Sequence, residues 1–445
     1  MMINKKVIKF NITNIITFFE IIIYRLLLDF AYFDDICITY SSYGFKDYRS
    51  IENGILSWLI IVIFIFPIIK LIDNEKNSFS NIIIYILSLI SIIPFTTLVY
   101  SGILSTSFII MYIIYWIVLF ISYAVLFTKD TKPLIIKFNK IHIDEKFSFI
   151  FACLSISVVL FISWKYTGFR MNFNMFNVYE LRSEYINYNF PRIVEYLFAW
   201  TRAINIVFIG YSIVKKRYFI AAAFFLAQML SFGIDGLKST FFMAILVLIF
   251  CLLYKNEKKY NFKKICLHGI LGLSLLGAIE KVALKTNNII TLLIRRVLML
   301  PIYLNSCYVD FFQKNPPDYF KSSFLRLFGA TTSYYKLDHI IGKIYFNRPQ
   351  MGCNNGLIAE AVTNFGTIGI LIMPILLVLV LKFMDKCVKG VEERVFLVIA
   401  LYFAITISNT FLTTALLTHG LLISTILMLI LKSKDKGEKN VKDKK

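Results

Sequence analysis

Arginine is the residue type whose placement in this chain points most directly to chemistry. Its guanidinium group is a planar, permanently charged fork that matches two phosphate oxygens, whereas a lysine ammonium is a more strongly hydrated point charge. Most arginines fall in two polar segments, about 165–195 and 285–365, and these include Arg170, Arg182, Arg295, Arg296 and Arg348. This grouping predicts a site for an anionic substrate that bears phosphate.

The longer polar segment, about 285–365, has nine lysines and arginines against four aspartates and glutamates, so its net charge is 9 − 4 = +5. Unstructured segments of this length are uncommon in compact proteins and are usually functional. Its tyrosines, among them Tyr308, suit stacking on sugar rings. A belt of tyrosines at a membrane boundary is the alternative explanation for them.

Residues 288–304 form an apolar stretch that Arg295 and Arg296 interrupt. Two adjacent charges in such a stretch predict a re-entrant or interfacial helix rather than a membrane-spanning one. Because neighbouring residues point about 100° apart on a helix, we expect only one of the two arginines to face a substrate. Ionisable residues at membrane depth are functional candidates by default.

Two further turns have residue types that suit anions. Residues 233–240 read GIDGLKST, which places Lys238 in the first turn of the following helix, where free backbone N–H groups and the helix dipole attract negative charge. Residues 352–356 read GCNNG and precede a predicted helix that Asn354 or Asn355 caps. One turn into that helix, Glu360 is a candidate general base.

The elements that must position these residues are membrane helices. The chain has 445 residues, of which 58% are hydrophobic and 17% charged, and its mean hydropathy is +0.70. Runs of this apolar character are long enough to cross a hydrocarbon core of about 30 Å, and they lack the alternation of barrel strands. The prediction is an all-α polytopic membrane protein of about 12 helices, near 11–30, 54–72, 81–100, 107–128, 148–164, 196–214, 218–234, 237–254, 265–284, 366–384, 395–411 and 415–431.

Lysine predicts the orientation of these helices. It crowds both termini and the connectors at 129–147 and 255–264, and with twelve crossings all of these lie on one side. By the positive-inside rule that side is cytoplasmic, so both termini are predicted to be cytoplasmic and the two arginine-bearing segments to lie on the outer face. Long translocated segments largely escape this rule, so the alternative explanation is that the outer arginines have no functional role. We therefore expect a single transmembrane domain over 1–431 and a lysine-rich tail, 432–445, that touches anionic lipid headgroups.

Other chemistry is sparse in this sequence. Its four histidines show no metal-ligand spacing, and neither a Walker loop nor a GxGxxG motif is present. We therefore expect no metal, no cofactor and no nucleic-acid partner. His339 lies in the longer polar segment, where a surface histidine is its simplest interpretation.

The overall plan resembles the bacterial O-antigen polymerases, the Wzy-type oligosaccharide repeat-unit polymerases. The resemblance covers nearly the whole chain: about a dozen helices, two large outer loops with arginines, and short inner loops with lysines. Local matches are SFGIDGLKSTFF (231–242), RRVLMLPIYLNSCYVDFF (295–312) and NNGLIAEAVTNFGTIGI (354–370). These motifs are loose, because the family diverges strongly in sequence.

The resemblance implies a membrane glycosyltransferase of GT-C-like plan at the outer, periplasmic face of the bacterial inner membrane. It would join oligosaccharide units linked to undecaprenyl diphosphate, with a chain-length regulator protein as an additional partner. Arg295 or Arg296, with Arg170 or Arg182 and Lys238, would stabilise the charge on the leaving diphosphate. Tyr308 and Asn355 would contact substrate, and one of three carboxylates would accept the acceptor proton: Asp235, Asp310 or Glu360.

Three other functions fit part of the pattern. A ligase that attaches finished polymer to a lipid core shares the plan and the leaving group, and an essential His339 would favour it. A lipid-linked oligosaccharide flippase or other transporter would place charge in mid-membrane cavities between repeated halves, which this sequence does not show. A structural scaffold would have no need to segregate arginine from lysine.

Overall fold

The structure is a computed structural model that describes residues 12–73, 78–127, 145–173, 184–185, 187–188, 190–254, 261–323, 325 and 328–431. Within these residues every regular element is helical, which confirms the all-α prediction. In chain order the longer α-helices are α1 (Ile12–Ala31), α2 (Ile51–Asp73), α3 (Phe79–Tyr100), α4 (Thr106–Leu126), α5 (Glu145–Ile162), α6 (Arg192–Val214), α7 (Tyr218–Asp235), α8 (Lys238–Leu253), α9 (Phe262–Ile279), α10 (Leu300–Lys314), α11 (Leu337–Phe346), α12 (Ile358–Phe365), α13 (Gly369–Val388), α14 (Glu393–Asn409), α15 (Leu412–Leu417) and α16 (Leu421–Ile430).

Several of these helices are extended by π-helical segments, whose hydrogen bonds join residues five apart. Short ones, Tyr32–Ile36, Ser163–Thr167 and Glu280–Leu284, follow α1, α5 and α9. The longest, Ile290–Met299, leads directly into α10. Pro301 stands in the first turn of α10, where its missing N–H is tolerated, so the helix continues unbroken to Lys314.

Nine helices in the described part of the chain are long and apolar enough to cross a membrane, as expected of a polytopic membrane protein. All but one coincide with predicted runs. The exception is Ile290–Lys314, where the expected short re-entrant or interfacial helix runs on for 25 residues. The nine are Ile51–Ile72, Phe79–Tyr100, Thr106–Leu126, Glu145–Thr167, Ile193–Val214, Tyr218–Asp235, Phe262–Leu284, Ile290–Lys314 and Ile358–Val388.

The remaining predicted runs form helices of other kinds. The run at 11–30 is α1, which accommodates charge by burying it: Arg25 pairs with Asp29 and donates from Nε to the Thr96 hydroxyl over 2.7 Å. The runs at 237–254 and 395–411 are α8 and α14, of 16 and 17 residues. The run at 415–431 is broken between α15 and α16 by Gly420, whose φ is +77°. A total of twelve spans and a GT-C-like plan stay predictions.

The chain divides into two compact units. The first comprises Met1–Lys76, Ile84–Ser122 and Tyr260–Ile375, and in it α1 packs on α2 and α9 while α10 packs on α12. The second comprises Asn77–Ile83, Tyr123–Lys259 and Leu376–Lys445, and in it α6 packs on α5, α7, α8, α14 and α16. A buried polar chain stabilises the second unit, since Ser155 donates to Asn205 over 2.5 Å and Asn205 donates to Gln228 over 3.4 Å.

Candidate functional site

Two arginines and two tyrosines of the first unit form one cluster. The Arg295 guanidinium lies 4.0 Å from the centroid of the Tyr40 ring, and the Arg348 guanidinium lies 4.2 Å from that of Tyr43. The two rings meet edge to face with centroids 6.0 Å apart. Arg348 also donates to the Tyr43 hydroxyl. We call Tyr40, Tyr43, Arg295 and Arg348 the arginine–tyrosine cluster.

The segment that follows α1 positions the two tyrosines. Tyr40 donates from its hydroxyl to Thr291 over 3.1 Å, which ties its ring to the π-helical segment that bears Arg295. Gly44 ends the turn after Tyr43 in the left-handed conformation, with φ of +88°. A Cβ at Gly44 would overlap the Tyr303 hydroxyl, so glycine is required both by the backbone and by the space available.

The two adjacent arginines have different surroundings, as expected from their separation around a helix. Arg295 is half-buried over Tyr40, whereas Arg296 is exposed. The buried Nε of Arg295 has no hydrogen-bond acceptor among the described residues. A guanidinium stacked on an aromatic face keeps its N–H groups in its own plane, where they can bind an anion. Arg295 therefore has an unfilled donor beside an aromatic surface.

Carboxylates brace the helices around this cluster. The buried Asp35 pairs with Lys281 and accepts from the Asn287 amide over 3.0 Å. Glu280 accepts from the backbone N–H groups of Asn288 and Ile289 over 3.0 and 2.8 Å, at the start of the helix that leads to Arg295. One carboxylate thus satisfies free N–H groups at a helix start, which fixes how that helix leaves the connection.

Asp310 is the most accessible of the three predicted catalytic carboxylates. Its side chain is 46% exposed, and it accepts from Lys314 over 2.8 Å and from the Tyr345 hydroxyl over 2.5 Å. Burial, and then the hydrogen bond to Asp310, raise the pKa of Tyr345, so its hydroxyl stays protonated and donates. Tyr345 is three residues before Arg348, and Phe346 between them packs against Tyr303 of α10. Asp310 therefore belongs to the contact between α10 and α11, and α11 ends two residues before Arg348.

Tyr308, Asn355 and Glu360 are buried in the first unit. The Tyr308 hydroxyl donates to the Cys353 carbonyl over 3.1 Å, and the Asn355 amide donates to the Pro301 carbonyl over 2.7 Å. Glu360 is 1% exposed. These contacts join α10 to the start of α12, so the three residues occupy positions that stabilise the fold.

The predicted cap of the helix after residue 356 is wrong. Neither Asn354 nor Asn355 caps α12; instead the side-chain oxygen of Asn305 accepts from the backbone N–H of Ala359 over 2.7 Å. Asn305 is on α10, so the acceptor comes from a different helix that packs on α12. Asn355, in the segment before α12, donates to the Pro301 carbonyl and does not cap the helix.

The remaining predicted residues belong to the second unit or lie outside the described part. Asp235 is 2% exposed and pairs with Arg202, and its other oxygen accepts from the Leu237 N–H over 2.8 Å. Arg170 is exposed, after the π-helical end of α5. Lys238 begins α8, and its side chain lies outside the described atoms, as does the whole of Arg182.

Sequence reasoning missed the aromatic half of the cluster. Tyr40 and Tyr43 lie in a short stretch, ITYSSYGF, between the first two apolar runs. Their partners are more than 250 residues away in the chain, so no local pattern joins them. The one available signal was the glycine after two tyrosines in so short a connection, which indicates a tight turn that presents both rings.

Comparisons of the chain with protein-family models, with curated proteins and with solved structures returned no match.

Proposed function

We propose that this chain is a membrane glycosyltransferase that polymerises oligosaccharide repeat units linked to undecaprenyl diphosphate at the outer face of the bacterial inner membrane. Such a reaction breaks the bond between the sugar anomeric carbon and the diphosphate, and forms a bond to an acceptor hydroxyl. The enzyme must therefore bind the negative charge that builds on the lipid diphosphate and accept one proton from the acceptor. The lipid-linked oligosaccharide and the surrounding membrane lipids are its partners.

The observation that supports this proposal is the unfilled donor of Arg295 over Tyr40. The guanidinium is half-buried and its Nε–H has no acceptor within the part of the chain that the structure describes, and a diphosphate oxygen is a strong acceptor. Arg348 supplies a second guanidinium in the same cluster. Preorganised donors of this kind stabilise charge that develops in the transition state. The tyrosine rings give the adjoining sugars flat apolar surfaces.

Asp310 is the carboxylate that best fits the role of general base. Its side chain is accessible, whereas Glu360 and Asp235 are buried. Lys314 and Tyr345 hold the Asp310 carboxylate in one orientation. Proton transfer to Asp310 would raise the nucleophilicity of the acceptor hydroxyl as the diphosphate leaves.

The test of this proposal is the surface polysaccharide of cells that lack the gene. A polymerase predicts a lipid core that bears a single repeat unit, and a ladder of longer products on complementation. Loss of all repeat units contradicts polymerase activity. In that case polymer that accumulates on the lipid carrier outside the inner membrane identifies a ligase, and lipid-linked units that stay inside identify a flippase.

One observation favours the ligase as a second candidate. His339 Nδ1 donates to the Pro349 carbonyl over 2.9 Å, and its Nε2 lies 3.7 Å from the Asp338 carboxylate. A histidine oriented by such contacts is suited to proton transfer. The substitution His339→Asn abolishes ligase activity if this candidate is right, and leaves the polymer ladder unchanged if the chain is a polymerase that uses Asp310.

A further inference from the structure

A groove in the second unit has no part in the proposed reaction. Its volume is about 670 Å³ and it lies where α5 and α7 begin. Both helices are among those long and apolar enough to cross a membrane, so the groove lies at one end of two adjacent spans. Its lining residues are Glu145, Lys146, Phe149, Lys216, Arg217, Tyr218, Phe219 and Ile220.

The groove is cationic. Lys146, Lys216 and Arg217 contribute three positive charges against the one negative charge of Glu145. Arg217 donates from Nη1 to the Ser148 hydroxyl over 3.3 Å, which holds its guanidinium against the first turn of α5. The groove therefore has the charge of an anion-binding site and one guanidinium already fixed in place.

The backbone at Lys216 is costly for a residue with a side chain. Its φ is +61°, and the N–H groups of Lys216 and Arg217 donate to the carbonyls of Ile213 and Ser212 over 2.9 and 2.8 Å. This pair of bonds is the Schellman motif that ends a helix, and glycine is the usual residue at the left-handed position. A lysine at that position gives up backbone stability and places an ammonium group on the groove.

The walls of the groove are aromatic and accessible. Phe149 and Phe219 stack with ring centroids 6.4 Å apart, and they are 45% and 76% exposed. Tyr218 beside them is 58% exposed. Exposed apolar rings at the start of apolar spans lie at the level of lipid headgroups and upper acyl chains. A ligand of this groove therefore has an anionic head and an apolar tail.

We propose that this groove binds an anionic phospholipid, with the phosphate on Lys216, Arg217 and Lys146 and an acyl chain along Phe149 and Phe219. The ligand is a lipid rather than free phosphate, because the exposed rings lie at the level of lipid headgroups and upper acyl chains, where an acyl chain can pack on them. The groove lies on the side that lysine predicts to be cytoplasmic, where anionic lipids attract basic segments. The site is independent of the polymerase proposal.

The test titrates the purified full-length protein, in a neutral detergent, with phosphatidylglycerol, phosphatidylcholine or inorganic phosphate, and follows binding by native mass spectrometry. We expect phosphatidylglycerol to bind at least tenfold more tightly than phosphatidylcholine. The substitution Lys216→Gly should weaken phosphatidylglycerol binding about fivefold, which corresponds to about 1 kcal/mol for one charge at a lipid surface. Its thermal stability should stay the same or rise, because glycine suits the backbone.

Lys215→Gln is the matched control. Lys215 precedes Lys216 in the same turn and is exposed, but it does not line the groove. The affinity of the Lys215→Gln variant for phosphatidylglycerol should stay within twofold of that of the wild type. Equal losses for the Lys215 and Lys216 variants would overturn the proposal in favour of diffuse surface attraction. Equal binding of the two lipids, or inorganic phosphate that displaces phosphatidylglycerol at the same concentration, would also overturn it. So would a Lys216→Gly variant that loses thermal stability while keeping its lipid preference, because that result assigns the lysine to the helix end alone.

Discussion

Replacing Arg295 by alanine should reduce the rate of polymer formation by about 10² to 10³, the usual effect of removing one preorganised donor to developing negative charge. Arg295 makes two separate contributions, one to the stability of the fold and one to the reaction. The stacking over Tyr40 at 4.0 Å is worth about 0.5–2 kcal/mol and acts on the folded protein. The loss of rate comes from the Nε–H, which has no acceptor among the described residues and would bind only when diphosphate is present. Arg295→Lys keeps the charge but loses the planar fork, so we expect an intermediate loss of about tenfold.

Arg49 provides a matched control for this substitution. Its guanidinium lies 4.0 Å from the Phe33 ring, the same stacking distance as in the cluster. Both oxygens of Asp47 accept from its Nε over 3.0 Å, so its fork is already occupied. Arg49→Ala should therefore leave the rate within about twofold of the wild type, although it removes an equivalent stack.

The assay measures the release of undecaprenyl diphosphate and the growth of polymer by purified protein in lipid nanodiscs, with lipid-linked repeat units as substrate. Fluorescence-detected size exclusion and thermal stability show that each variant is folded. The double substitution Arg295→Ala with Arg296→Ala excludes replacement by the neighbouring guanidinium. An unchanged rate in a stably folded double variant would refute the diphosphate role of the cluster. Equal losses of rate in the Arg49 and Arg295 variants would show that stacking alone, and not the Nε–H without an acceptor, accounts for the effect.

Three other outcomes follow from contacts outside the cluster. Asn305→Ala removes the shorter of the two hydrogen bonds of the buried Ala359 N–H and leaves the Gly356 carbonyl as its acceptor over 3.1 Å, so the free energy of unfolding should fall by about 0.5–1.5 kcal/mol, measured by denaturant titration in detergent. Asp235→Ala leaves Arg202 as an uncompensated buried charge and should destabilise the protein by about 3–5 kcal/mol, whereas substitution of both residues by leucine should lose far less in the same titration. Burial, and then a nearby carboxylate, raise the pKa of Cys353 from 9.0 to about 12. Because only the unfolded thiol ionises between these values, its contribution to stability is complete below pH 9 and falls between pH 9 and pH 12. A Cys353→Ala variant should lose this part of the pH dependence, and an identical pH profile would contradict it.

Hydropathy predicted the membrane helices well where a run is apolar throughout, because burial in lipid needs only length and composition. It predicted no membrane-spanning helix at Ile290–Lys314, where Arg295 and Arg296 lower the apolar character of a helix that continues past them and is long enough to cross a membrane. It also predicted one helix over 415–431, where Gly420 takes a left-handed φ that separates α15 from α16. Both differences come from one or two residues whose effects depend on their neighbours in space.

The candidate site was predictable only in its charged half. Arginine type and position indicated Arg295, and helix geometry predicts that only one of Arg295 and Arg296 faces a substrate; Arg295 is half-buried and Arg296 is exposed. The pairing with Tyr40 depends on a contact across more than 250 residues, and the sequence contains no signal for it. The prediction of the cap of α12 was wrong for the same reason. Two asparagines precede the helix in the chain, but the side-chain acceptor comes from Asn305 on another helix.

The long π-helical segment Ile290–Met299 precedes α10. The direction in which its side chains point therefore depends on the number of residues in each turn as well as on their order. A π-turn holds more residues than an α-turn, so a change from one to the other turns the preceding helix by about 100° for each residue gained or lost relative to α10. Such a slip moves each side chain into the angular place of its neighbour. With arginine at both 295 and 296, a slip that brings residue 296 into the place of residue 295 would still leave a guanidinium over the tyrosine ring, whereas the opposite slip would bring Ile294 there. The doubled arginine thus preserves the charge of the cluster against a register shift in one direction.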